Sequence, residues 1–92
     1  MFDMGTFLIT YDLHAPIQNY QPLIDEIKKI GTWWHCLESV WIIKSNYTCA
    51  QLRDILLNYI DNDDELLVVG LTGHWASSNL SKNCSDWLKQ NM

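Results

Sequence analysis

A chain of 92 residues with 48% apolar and 12% aromatic content suits a single domain, residues 1–92, and excludes a disordered polymer. Six basic residues against eleven acidic ones give a net charge of −5, which argues against a sequence-independent electrostatic grip on nucleic acid, since that needs clustered Lys and Arg. No apolar run approaches the ~20 residues of a membrane-spanning helix, and Met1-Phe2-Asp3-Met4-Gly5 lacks the positive charge of a secretory leader, so no membrane partner and a cytoplasmic setting are expected.

In chain order, Phe7 to Leu13 is a short run of apolar, aromatic and β-branched residues, which predicts a buried strand. Pro16 keeps His14 to Gln18 a loop. From Asn19 the period changes: Tyr20, Leu23, Ile24, Ile27 and Ile30 form one helical stripe, with Asn19 as N-cap and Gly31 as the stop. Trp33 to Leu37 and Val40 to Ile43 are β-prone runs joined through Glu38-Ser39, as in a hairpin. Thr48-Cys49-Ala50-Gln51 has the form of a capping box and opens a second helical stripe, Leu52, Ile55, Leu56, Tyr59 and Ile60. The acidic stretch Asp61 to Asp64 ends that helix, and Glu65 to Leu71 is a fourth strand. Thr72 to Trp75 turns away from the sheet, Ser77 to Ser81 is a polar loop, and Ser85 to Gln90 is a short terminal helix docking Trp87 and Leu88.

This order is a split βαβ pattern. It predicts an α+β, ferredoxin-like βαββαβ sandwich: an antiparallel four-stranded sheet, two helices on one face and a short C-terminal tail. The second, third and fourth strands are apolar on both sides, yet only two helices are available to cover the sheet. The face they leave, apart from what the tail reaches, is expected to be hidden in a homodimer that also buries some of the five tryptophans. Cys36, Cys49 and Cys84 are odd in number with no CxxC spacing, and are expected as buried thiols in a reducing compartment. Asn46-Tyr47-Thr48 and Asn83-Cys84-Ser85 have the form of glycosylation acceptors, read as chance matches without a leader.

Chemistry points first to Asp12. It closes an apolar strand, where a carboxylate is costly unless paired, hydrogen-bonded or bound to metal. Across a dimer axis two copies could hold one Mg²⁺ and activate water for phosphodiester cleavage. His14, two residues on, is placed to assist as acid or base. The competing reading makes Asp12 the cap of an Asx turn. His35 and Cys36 point to opposite faces of a strand and form no dyad, and His74 is a loop histidine. Asp61 to Glu65 is too short for an EF-hand loop and reads as a solvated connection. Trp33, Trp34 and Trp41 are read as core or dimer packing rather than a base-stacking platform, because only Lys44 lies near them in sequence.

Tyr11-Asp12-Leu13-His14, Pro16, Gln18-Asn19-Tyr20, Gly31, Trp33-Trp34-His35, Leu37-Glu38-Ser39-Val40-Trp41, Asp64-Glu65-Leu66 and Leu71-Thr72-Gly73 follow an order that resembles the small bacterial proteins labelled "SinR family". The resemblance spans nearly the whole chain, although no helix-turn-helix of a repressor is visible. More loosely, the chain resembles the small CRISPR-associated nuclease and integration-scaffold subunit and the virulence-associated protein D ribonucleases. Those are ferredoxin-like homodimers whose first strand ends in Tyr-Asp or a close variant, and their aspartate, linked to divalent metal and phosphodiester cleavage, matches Asp12. Their groove is typically basic, whereas Arg53 is the single arginine here.

Two functions follow as expectations. One is a metal-dependent endonuclease or nucleic-acid-processing homodimer, with Asp12 as the Mg²⁺ ligand and Asp12 and His14 as catalytic residues. The other is a non-enzymatic module that binds a protein partner, an accessory in a toxin–antitoxin or phage-defence setting; the shortage of basic residues favours it.

Overall fold

Alternation along β1 (Gly5–Asp12) sends Phe7, Ile9 and Tyr11 to one face and Thr6, Leu8, Thr10 and Asp12 to the other. That strand lies at the centre of the computed structural model, which describes residues 4–14 and 20–92. The expected loop at Pro16 and the expected cap at Asn19 lie outside the described residues. After β1 come α1 (Gln21–Ile30), β2 (Trp33–Leu37), β3 (Val40–Ser45), α2 (Cys49–Leu56), a 3₁₀ turn (Leu57–Tyr59), β4 (Glu65–Leu71) and α3 (Lys82–Asn91). The four strands form one antiparallel sheet in the order β2-β3-β1-β4. The domain is thus α+β, with a four-stranded antiparallel sheet and three α-helices among the described residues. None of these helices is long and apolar enough to cross a membrane.

α1 and α2 cover the first face. Leu23 and Ile27 of α1 and Leu52 and Leu56 of α2 meet Phe7, Ile9, Trp41 and Ile43, and Cys49, Ile60 and Val68 pack around them. Each fully buried Leu or Ile there contributes about 1.5–3 kcal/mol. The capping box forms as expected: Gln51 N–H donates to Thr48 Oγ1 at 3.1 Å, and Thr48 N–H donates to Gln51 Oε1 at 2.9 Å. The second helical stripe does not stay α-helical to Ile60, because the chain tightens into the 3₁₀ turn after Leu56.

Gly31 follows α1 for a different reason from the expected one. Its φ of 175° is extended backbone, not a left-handed cap. The carbonyl of Lys44 lies where a Cβ would sit, so only glycine lets the chain run this close to β3.

The second face holds the expected terminal helix, which starts three residues earlier than Ser85, together with the main departure from expectation, a disulfide. α3 begins at Lys82, capped by Ser81, whose Oγ accepts from Cys84 N–H at 3.2 Å. It folds back over β2 and β3, placing Leu88 and Trp87 against Trp34 and Ile42. Cys36 and Cys84, expected as separate thiols, form a disulfide between β2 and α3, with Cα atoms 6.3 Å apart and a separation of 48 positions in sequence. Spacing rules read short intervals, and only the return of the tail brings these sulfurs together. Cys49 stays free. A bulge interrupts the β2–β3 ladder between Trp34 and Leu37, so Cys36 lies in a break of the pairing. Trp34, Trp41 and Trp87 are consumed by packing within the chain, whereas Trp33 and Trp75 are exposed. Leu67 (57% exposed) and Val69 (38%) on β4 are left open beyond α3.

Candidate metal centre at the end of β1

β1 and β4 pair antiparallel, so the last residue of β1 faces the first residue of β4: Asp12 opposite Glu65. Cross-strand partners project to the same face, which puts two carboxylates side by side at the sheet's end. His14 follows two residues later, and its imidazole turns back onto them. Nε2 lies 3.0 Å from Glu65 Oε1 and 3.9 Å from Asp12 Oδ2.

Asp64 fixes this arrangement without joining it. One carboxylate oxygen, Oδ1, accepts the His14 backbone N–H at 2.8 Å. Tyr20 Oη donates to the same carboxylate at 2.8 and 3.1 Å, and the Asp61 N–H donates to Oδ2 at 2.8 Å. One side chain therefore ties together the chain leaving β1, the residue preceding α1 and the turn that opens β4.

The electrostatics follow from these contacts. The His14 pKa is raised above its ordinary 6.5, chiefly by the hydrogen bond to Glu65; partial desolvation opposes the rise, and the charges of Asp12, Glu65 and Asp64 reinforce it. Desolvation pushes Asp64 up, but the backbone N–H groups of His14 and Asp61 and the Tyr20 hydroxyl outweigh it, holding the carboxyl below its usual range. Asp64 thus stays ionised and keeps its three donors in place.

Asp12, His14 and Glu65 each present one ligand atom, all within 4.8 Å of one another, a set that can hold a metal ion. Two carboxylates and an imidazole suit Mn²⁺, Fe²⁺ or Zn²⁺ better than Mg²⁺, which prefers oxygen ligands and retained water. All three residues are exposed, which leaves room for water or a substrate oxygen to complete the coordination. Beside them, Thr10, Tyr11, Asp12, Glu65, Leu66 and Leu67 line an open hollow of about 300 Å³.

Of the residues expected to carry chemistry, Asp12 and His14 are brought together. Asp12 does not carry the burial cost expected of a carboxylate closing an apolar strand, because its side chain is 73% exposed. His35 lies elsewhere: its ring stacks on Trp41 at 3.7 Å, and its Nδ1 is 2.8 Å from the Val40 carbonyl oxygen. His74 lines an apolar cavity on the second face. Sequence reasoning missed Glu65 and Asp64, which it assigned to a solvated connection. The signal was available, since pairing the first strand antiparallel with the fourth puts the end of one against the start of the other. The chain matches no protein-family model, and no solved structure matches it at a significant level.

Proposed function

We propose that the protein is a ferredoxin-like homodimer that binds a divalent cation through Asp12, His14 and Glu65 and uses it to hydrolyse phosphodiester bonds in nucleic acid. The observation that carries the reading is the convergence of these three side chains at the β1–β4 end, beside an open hollow. An ion there supplies positive charge for a phosphate and acidifies water. That charge would offset the acidic balance of the chain. His14 Nε2 gives up its proton to act as a ligand, while Asp64 holds the His14 backbone in position.

The ferredoxin-like assignment rests on the βαββαβ order, the strand order β2-β3-β1-β4 and the packing of α1 and α2 on one face. The homodimer rests on Leu67, Val69 and Leu37, all exposed, and on the two edge strands β2 and β4. Kinship with the "SinR family", and more distantly with the CRISPR-associated and virulence-associated protein D nucleases, rests on the sequence resemblance alone. Cytoplasmic residence belongs to the same proposal, and there a Cys36–Cys84 bond would be transient rather than permanent.

Purified protein incubated with RNA and DNA in Mn²⁺ or Mg²⁺ tests the reading, with light scattering to measure mass. Cleavage that disappears in Asp12→Ala and Glu65→Ala supports it. Cleavage unchanged in both variants removes the site, and a monomer at micromolar concentration removes the dimer.

A second reading, a non-enzymatic module for a protein partner in a toxin–antitoxin or phage-defence setting, draws on one observation. Arg53, the single arginine, pairs with its neighbour Asp54 on α2 at 2.9 Å, so its charge is answered by a carboxylate of its own helix. Stoichiometric recovery of a protein partner without nucleic acid, from a preparation with no cleavage activity, favours it.

A further inference from the structure

α3 hangs on the sheet by one covalent bond and a small apolar seat. Leu88 is its only buried side chain among the described residues, with Cys84 and Trp87 partly covered. Trp34 Nε1 donates to the Cys84 carbonyl at 3.1 Å, and Thr6 Oγ1 donates to the Asn91 carbonyl at 3.3 Å. A ten-residue helix is shorter than the ~12–15 residues at which isolated helices begin to persist in water, so α3 depends on its seat. The first-face core, built on Phe7, Ile9, Trp41 and Ile43 with α1 and α2, takes no residue from α3. Residues 72–80, which join β4 to α3, contain no helix or strand and give the helix a tether on which to move.

We propose that the Cys36–Cys84 disulfide is a redox latch that holds α3 over the second face of the sheet, and that reduction by a dithiol releases it. The bond lies beside a shallow opening of about 180 Å³ bordered by Trp33, His35, Asn83 and Trp87, so a small thiolate can reach it. The thiolate attacks one sulfur, forming a mixed disulfide and expelling the other cysteine as a thiolate. The second thiol of the reductant then displaces the first cysteine. Two electrons and two protons pass to Cys36 and Cys84, and the dithiol leaves as a disulfide. When α3 detaches it melts, uncovering Trp34 and Ile42. An apolar cavity of about 350 Å³ on the same face loses the wall formed by Leu88 and Met92. The two redox states therefore present different surfaces while the first-face core stays folded. The latch is independent of the Asp12 site.

Hydrogen exchange on the full chain, oxidised and then reduced with dithiothreitol, provides the test. Amides of residues 84–91 are expected to exchange about tenfold faster or more after reduction, while those of residues 7–11 are unchanged. Emission of 8-anilinonaphthalene-1-sulfonate is expected to rise on reduction and fall again on reoxidation. Equal protection of α3 in both states overturns the proposal, because packing alone would then hold the helix. Equal acceleration in β1 also overturns it, because the bond would then staple the whole fold. The double variant Cys36→Ser with Cys84→Ser should reproduce the reduced state without reductant, and failure of that variant to fold counts against the latch.

Discussion

Asp12 and Glu65 are partners across the β1–β4 ladder, and the carboxylate of Glu65 lies 3.0 Å from the His14 ring. A strand end that closes on two carboxylates and an imidazole can take up either a proton on His14 or a divalent cation, and the two would compete.

Metal binding is the first consequence. Mn²⁺ is expected to bind the wild-type chain more tightly than Mg²⁺, since an imidazole nitrogen stands among the donors. Asp12→Ala and Glu65→Ala should each weaken Mn²⁺ by about tenfold or more, equivalent to about 1.4 kcal/mol. Calorimetric titration at fixed pH measures this, and unchanged affinity in either variant removes that residue from the site.

The proton side of the competition can be read by NMR. The His14 imidazole should titrate above 6.5, and Glu65→Gln should bring the midpoint back toward that value by removing the strongest cause of the shift. Because the folded value is raised, the ion pair stabilises the fold fully below the unfolded value. That contribution fades as pH climbs through the folded midpoint. Mn²⁺ affinity should run the opposite way, falling as acid protonates His14. A His14 midpoint at or below 6.5 would contradict the geometry.

Gly31→Ala introduces a Cβ where the Lys44 carbonyl lies, so either the end of α1 or β3 must shift. The expected loss is about 1–3 kcal/mol, the usual range for overpacking. Urea denaturation reads it, and a neutral result would mean that the close approach relaxes freely.

Ser39, in the turn between β2 and β3, has a φ of 57°, in the left-handed region. Ser39→Gly is expected to stabilise by about 0.5–1 kcal/mol, the relief of left-handed strain less the backbone freedom glycine adds to the unfolded chain. Thermal melting checks the sign, and a destabilised variant would show that the serine side chain contributes something its backbone conformation does not reveal.

Local order was written in neighbouring residues. The apolar runs at Phe7 and Glu65, the stripe from Leu23 to Ile30 and the box from Thr48 to Gln51 each announce an element within a few positions, because strand alternation, helical period and capping are short-range physics. Asp12 and His14 were legible for the same reason, as polar groups at the end of an apolar run. Glu65, Asp64 and the Cys36–Cys84 bond were not. Asp12 meets Glu65 only once β1 pairs with β4, and Cys36 meets Cys84 only once α3 crosses the second face of the sheet. Residue chemistry determined the candidates by itself. Their partners were chosen by ladder register and by the apolar face that the returning tail covers, both of which depend on segments about 50 residues apart in sequence.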